Sequence, residues 1–259
     1  MGLKEPGLRG SLRNVSVGID AIPDSVVPQK EIHSYPVTGF TTENWPDGIG
    51  QSDIDTINGP TFDDSLFGSE GGVKGDGVDD FAQSDTMGSF GSNINGSWAV
   101  AIPFSTTDND GHILGVANES NDTNFVVELG QNVPDNKLGA SFRDDSRDTQ
   151  RINCTPDVND GANYVVIIQS TGSSASDKAI YFEPNNDVSS IDFDDGPLGT
   201  TSNFDLPMTY FSRNLFGDVD SHLEISLNTP RWFDDSLTES ERSDVFDAYS
   251  WYDPSTDAP

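Results

Sequence analysis

The stretch that decides the fold is Ser97-Trp98-Ala99-Val100-Ala101-Ile102-Pro103-Phe104. Trp98, Val100, Ile102 and Phe104 alternate with smaller residues, and a period of two puts the large side chains on one face of a β-strand. The spacing predicts a half-buried strand with Trp98 in the core. Further strands follow on its C-terminal side. Asp108-Asn109-Asp110-Gly111 is a turn, and Ile113-Leu114-Gly115-Val116 comes after it. Phe125 to Leu129 is a third strand. Lys137 to Phe142 is a fourth, behind the turn signal Pro134-Asp135-Asn136. Tyr164-Val165-Val166-Ile167-Ile168 is the most apolar run and reads as a central strand. The Gly/Ser-rich hairpin Thr171 to Asp177 precedes Ala179-Ile180-Tyr181-Phe182, and Leu223, Ile225 and Leu227 alternate near the end. Many short strands between Gly, Asn, Asp and Pro turns predict an all-β sandwich or jelly roll.

One helix interrupts this pattern. Thr238 and Glu241 form a capping box, and Val245, Ala248, Tyr249 and Tyr252 lie at helical spacing until Asp253-Pro254. The opposite end of the chain is different again. Lys4, Glu5, Arg9 and Arg13 make the first residues net positive, Val15, Val17 and Ile19 alternate as a short strand, and Pro23, Pro28 and Pro36 punctuate a connection. These features divide the chain into an N-terminal extended arm, 1–40, and a sandwich domain, 41–259. Leu3, Leu8, Arg9, Leu12, Arg13 and Val15 are the candidate anchoring residues of the arm.

The 259 residues carry 13 Lys+Arg against 44 Asp+Glu, a net charge of −31. Only 10 of the acidic residues are Glu and only 5 of the basic ones are Lys. Such a surface repels a phosphate backbone, which excludes nucleic acid as a partner. No run approaches the ~20 apolar residues of a membrane helix, so no membrane insertion is expected. Met1 to Gly10 has no apolar run of signal-peptide type. Cys154 is the only cysteine, which excludes an intrachain disulfide. Fifteen Phe, six Tyr and four Trp in alternating runs indicate a packed core rather than disorder. Excess Asp with little Lys resembles proteins that work in multimolar salt, where the Debye length falls to about 3 Å and like charges barely repel.

The order of the segments resembles the laminin-G-like, or concanavalin A-like, jelly roll. Gly75-Asp76-Gly77-Val78-Asp79-Asp80-Phe81 is similar to that family's glycine-aspartate strand, and Ser97 to Phe104 is similar to the tryptophan strand after it. Gly111 to Gly115, Ala179 to Phe182, Asp220 to Ile225 and Leu237 to Arg242 follow in the family's order. Glu183-Pro184-Asn185 stands where the family has Asp-Gly. The opening Gly2 to Val15 resembles the start of such proteins from haloarchaeal tailed viruses and proviruses.

That resemblance implies a virion structural protein, as a capsid turret, spike or tail fibre. It would be assembled in the host cytoplasm and displayed on the virion surface in a high-salt extracellular setting. The implied partners are sister copies in a homo-oligomer, other virion proteins, and a host cell-surface glycan or glycoprotein. A non-binding capsid decoration protein and a carbohydrate-binding module secreted by or displayed on a halophilic cell are the alternatives. Trp45, Tyr210 and Trp232 lie near turn residues and are the candidate sugar platforms. The family's rim cation makes Ca²⁺ or Mg²⁺ the candidate ion, with Asp76, Asp79, Asp108 and Asp110 as ligands and Asp80, Asp144, Asp145 and Asp148 as further candidates.

Catalysis is not expected. Glycoside hydrolysis needs two carboxylates flanking the scissile bond, and Asp53-Ile54-Asp55-Thr56-Ile57-Asn58 lacks both glutamates of the E-x-D-x-x-E strand. No G-x-S-x-G or H-E-x-x-H occurs. His33, His112 and His222 are scattered in sequence, and Cys154 has no catalytic signature around it.

Overall fold

The computed structural model describes residues 29–49, 52–84, 95–117, 124–130, 134, 136–199, 208–215, 218–220 and 222–259. Among these, the strands form two large antiparallel sheets packed face to face, an all-β jelly-roll sandwich. The nine-stranded sheet contains β1 (Glu31–Ser34), β3 (Thr61–Asp63), β4 (Gly72–Asp76), β6 (Trp98–Thr106), β11 (Tyr164–Ser170), β12 (Lys178–Glu183), β13 (Asn186–Asp187), β18 (Glu224–Leu227) and β19 (Arg231–Phe233). The eight-stranded sheet contains β2 (Ile54–Asn58), β5 (Phe81–Ser84), β7 (Gly111–Ala117), β8 (Asn124–Leu129), β9 (Leu138–Arg143), β10 (Thr149–Cys154), β14 (Ser189–Asp194) and β15 (Met208–Tyr210). β16 (Arg213–Leu215) and β17 (Asp218–Asp220) pair as a small separate hairpin, with β16 lying against β7 and β15.

The deciding stretch becomes β6, at the middle of its sheet. It pairs with β11 on one side, from Trp98↔Ser170 to Phe104↔Tyr164, and with β18 and β19 on the other. Trp98, Val100, Ile102 and Phe104 point into the core between the sheets, where Trp98 meets Phe125 of the opposite sheet at 4.8 Å. The strand is not half-buried, however. Its other face, Ala99 and Ala101, is also covered, in a second cluster with Val165, Ile167, Phe233, Val245, Phe246, Tyr249 and Tyr252. The covering element is α1 (Glu239–Asp247) with the turn that follows it. Small alanines leave room for a helix to approach the strand, which is why the alternation looked like a core face and a solvent face.

The expected capping box is present: Thr238 accepts from the Glu241 amide and the Glu241 carboxylate accepts from the Thr238 amide. The helix ends at Asp247, earlier than expected. Tyr249 and Tyr252 are buried by the turn beyond it, and Asp253 caps a second short helix, α2 (Pro254–Asp257), rather than ending the first.

The boundary expected at residue 40 falls earlier. β1 pairs with β19, and Tyr35 and Val37 belong to the central core, so residues 31–40 are part of the sandwich. The candidate anchoring residues Leu3, Leu8, Arg9, Leu12, Arg13 and Val15 lie outside the described residues.

Candidate functional site: the corner between the sheets

Gly75-Asp76-Gly77-Val78-Asp79-Asp80-Phe81 does not form one strand. Gly75 and Asp76 end β4 in the nine-stranded sheet, and Phe81 opens β5 in the other, so residues 77–80 are the corner at which the chain changes sheets. Gly77 makes the corner possible: its φ is 75°, and a side chain there would lie 2.8 Å from the Glu224 amide nitrogen. Turning so sharply brings Asp76, Asp79 and Asp80 together, with one carboxylate oxygen from each within 4.8 Å of the others.

The corner is tied down by its own carboxylates. The Asp76 amide donates to Asp80 Oδ2 at 2.7 Å, and the Val78 amide donates to Asp76 Oδ1 at 2.8 Å. Asn58 Nδ2 donates to the Asp79 carbonyl at 2.9 Å, and His222 Nδ1 lies 2.9 Å from the Asp80 carbonyl. Asp80 is buried, and its other oxygen lies against Gly59. Burial pushes its carboxyl above the usual carboxylate range. The Asp76 amide opposes the shift, and the charges of Asp76 and Asp79 reinforce it. Asp76 and Asp79 are exposed.

An open groove of about 510 Å³ runs past this cluster, lined by Gly59, Thr61, Lys74, Gly75 and the three aspartates. Lys74 pairs with Glu224 at 3.1 Å, and the exposed side chains of Val78 and Phe62 lie on the turn and the neighbouring strand. Three carboxylates that retain free oxygens are a hard, anionic donor set of the kind Ca²⁺ takes. The donor set fits that ion.

The four expected metal ligands do not come together as one site. Asp76 and Asp79 join Asp80, whereas Asp108 and Asp110 join no group of three acidic or histidine ligands among the described residues. Asp108 is used by its own turn, accepting the Asn109 amide at 2.8 Å and the Glu224 amide at 3.3 Å. Asp144 is fully buried and accepts the amides of Ser146, Asp148 and Gly199 at 2.9, 2.9 and 2.6 Å, so it is a turn lock.

The expected sugar platforms are overturned by burial. Trp45, Tyr210 and Trp232 are all 0% exposed. Trp45 and Tyr210 pack at 5.7 Å, Tyr35 closes on both, and Trp232 Nε1 donates to the Tyr210 hydroxyl at 3.1 Å. Each brings a polar atom into the core that finds a partner there, Trp45 Nε1 through the Pro36 carbonyl at 3.2 Å. Their neighbouring turn residues suggested exposure, but the turns close over the end of the sandwich.

A second polar group was invisible in the sequence. On the face of the eight-stranded sheet away from the core, His112, Glu128, Ser141 and Arg151 come from four successive strands, β7 to β10. Ser141 Oγ donates to Glu128 Oε1 at 2.8 Å, Arg151 Nε donates to Ser141 Oγ at 3.0 Å, and His112 Nε2 lies 3.5 Å from Glu128 Oε2. His112 and Glu128 are buried, and neither ring nitrogen of His112 has a hydrogen bond. Arg151 continues the row to the sheet edge, pairing with Asp192 at 3.3 Å and stacking 6.0 Å from the Phe193 ring. Cys154 is buried and free, and burial pushes its thiol up to about 11, which keeps it an unreactive thiol.

No protein-family profile and no curated protein sequence matches the chain. Its fold is similar to solved structures at low identity. Trypanosoma rangeli sialidase in complex with sialic acid aligns with a TM-score of 0.58 and 11% identity, over 83% of this chain and 32% of that one. The binding domain of botulinum neurotoxin serotype C1 aligns with a TM-score of 0.61 and 11% identity, over 85% and 52%. The binding domain of serotype D/C aligns with a TM-score of 0.60 and 10% identity, over 85% and 52%. The chain thus spans about a third of the sialidase and about half of the neurotoxin binding domains. The sequence-based exclusion of catalysis does not stand, because the similar chains include a sialidase, an enzyme. At this identity the likeness shows the fold alone: an all-β jelly-roll sandwich.

Proposed function

We propose that this chain is a carbohydrate-binding domain whose glycan sits in the corner groove. A divalent cation, Ca²⁺ before Mg²⁺, would be held there by Asp76, Asp79 and Asp80. The observation that carries the reading is the convergence of three carboxylates beside Lys74 and Thr61 in an open groove. Carboxylates and an amine are the groups that bond sugar hydroxyls, and the apolar surface of Val78 offers a contact for the less polar face of a ring. The fold's similarity to toxin binding domains and to a sialidase solved with sialic acid supports a lectin-like role. The opening segment and the net charge of −31 support placing the domain on the virion of a halophilic archaeal virus, as a homo-oligomer with other virion proteins. On a particle, many weak sites would sum by avidity.

The test is glycan binding by the intact protein in multimolar KCl, using host envelope glycans, with and without added Ca²⁺. Binding that needs Ca²⁺ and is lost in Asp76→Asn/Asp79→Asn supports the reading. Undiminished binding by that variant removes the groove from it. Antibody labelling of purified particles in electron microscopy tests the virion assignment separately, and unlabelled particles would sink it.

A further inference from the structure

We propose that the eight-stranded sheet binds a carboxylate-bearing sugar on the face turned away from the core, with Arg143 taking the carboxylate and Phe193 packing against the ring. Register puts both residues on that face. Phe142, Gln150 and Ile152 are fully buried on the core side, so Ser141, Arg143, Thr149 and Arg151, which alternate with them on β9 and β10, point outward. Phe193 stands opposite Arg151 on β14, its ring 6.0 Å from that guanidinium, and it is 44% exposed.

Arg143 is the group that lacks a partner. Among the described residues its guanidinium has no ion pair and no hydrogen bond, and its Nε is buried. A buried donor left unbonded is costly, and in a chain with 44 Asp and Glu against 13 Lys and Arg an unpaired cation is unexpected. Carboxylates of the flanking turns are spent on amides instead. Asp144 accepts from Ser146, Asp148 and Gly199, Asp194 from Gly196 at 2.9 Å, and Asp195 from Thr149 at 3.1 Å. Arg151 differs, since its charge is already met by Asp192 at 3.3 Å and by Glu128 at 3.5 Å.

The chemistry of the face selects the occupant. A guanidinium holds a carboxylate through two parallel hydrogen bonds. A bare anion would be repelled by Asp192, whose side chain is 30% exposed beside Arg151. A sugar acid instead gives that carboxylate hydroxyl donors, and its ring carbons suit the exposed Phe193. β9 and β14 are separated by β10, two strand spacings or about 10 Å, which the Arg143 side chain and one sugar ring cover together. A second copy of this chain fits less well. The apolar surface here is a single aromatic ring, whereas a stable interface buries about 800 Å² per partner. His112 and Thr209 share the face and also have unbonded polar atoms, but they are fully buried, so the ligand reaches only the Arg143 end. No cation takes part, and the inference does not depend on the corner groove.

The test is NMR titration of the full chain in multimolar KCl with EDTA present, using methyl glucuronide, methyl glucoside and glucose 6-sulfate. The glucuronide should shift the Arg143 Nε–H and Phe193 ring signals and bind about tenfold more tightly than the uncharged glucoside. Arg143→Met and Phe193→Ala should each weaken it about tenfold, and Arg143→Lys should restore only part of the loss. Denaturant unfolding checks that Arg143→Met, which gives up no ion pair, folds like the wild type. Asp76→Asn/Asp79→Asn should bind the glucuronide unchanged, which separates this face from the corner. No glucuronide binding, or equal binding by Arg143→Met, overturns the proposal. Equal binding of the glucoside or tighter binding of the sulfate overturns the carboxylate assignment. Self-association that Arg143→Met abolishes, without glucuronide binding, would give the face to a second copy and overturn it too.

Discussion

Gly59→Ala is the substitution that most directly couples the fold to the groove. Gly59 has a φ of +89°, and a β-carbon there would lie 1.5 Å from Asp80 Oδ1. The backbone conformation alone costs a residue with a side chain roughly 1–2 kcal/mol. The contact forces the Asp80 carboxylate to swing away and surrender the amide bond from Asp76, 2.7 Å long, and a bond to a charged acceptor is worth about 1.5–3 kcal/mol. The expected loss is therefore about 3–4 kcal/mol, a large part of the stability of a typical domain. The assay is denaturant unfolding in multimolar KCl of the wild type, Gly59→Ala, Asp80→Ala and the double variant. In the Asp80→Ala background the clash is absent, so Gly59→Ala should cost only about 1–2 kcal/mol, leaving a coupling of about 2 kcal/mol. Equal cost in both backgrounds would refute the argument, because the strain would then not involve Asp80. Gly59→Ala should also lose Ca²⁺-dependent stabilisation although all three aspartates remain.

Other consequences are equally specific. Lys178 is buried beside the Phe142 ring, and burial pushes its ammonium down to about 8. The native state therefore binds fewer protons than the unfolded chain between pH 8 and about 10, so this group makes stability rise with pH across that window. Lys178→Met should remove the slope and raise stability at pH 7 by about 2–3 kcal/mol, as read by urea unfolding at several pH values. Trp232→Phe should cost about 2 kcal/mol through a cavity and the lost bond to Tyr210, with no change in glycan binding. A change in glycan binding would mean that the indole reaches the surface after all. Arg151→Met should cost about 2–3 kcal/mol, because it takes the guanidinium from a carboxylate buried at Glu128. A neutral result in thermal unfolding would show that Arg151 does not compensate that charge.

Strands that alternate were readable in advance. The expected Lys137–Phe142 strand is β9, Leu138–Arg143, and the expected Tyr164–Ile168 strand is the central β11. β10 and β14, Thr-Gln-Arg-Ile-Asn-Cys and Ser-Ser-Ile-Asp-Phe-Asp, were not, because their outward residues are polar and their apolar content is small. Nothing local marks such a segment as a strand until β9 offers it a ladder. Asp76, Asp79 and Asp80 were singled out for their residue type, and the corner brings their three carboxylates together. Asp108 and Asp110 were indistinguishable from them in sequence, since nothing local tells which turn carboxylates a change of sheets will bring together. His112, Glu128, Ser141 and Arg151 carry no common signal, because the register of four strands alone makes them neighbours.

The sequence by itself determined the class of the fold, the central strands, the helix cap and the nature of the surface. These depend on side-chain period, on a reciprocal pair of hydrogen bonds and on composition, all of which are local or additive. Tertiary structure alone decided which aromatics face water and which carboxylates converge. Trp45, Tyr210 and Trp232 changed from candidate platforms to core, because exposure depends on what packs over a residue from distant parts of the chain. Asp76, Asp79 and Asp80 became a cluster because the chain crosses between sheets at that corner, and the second sheet that gives the corner its meaning is assembled from strands spread over most of the chain.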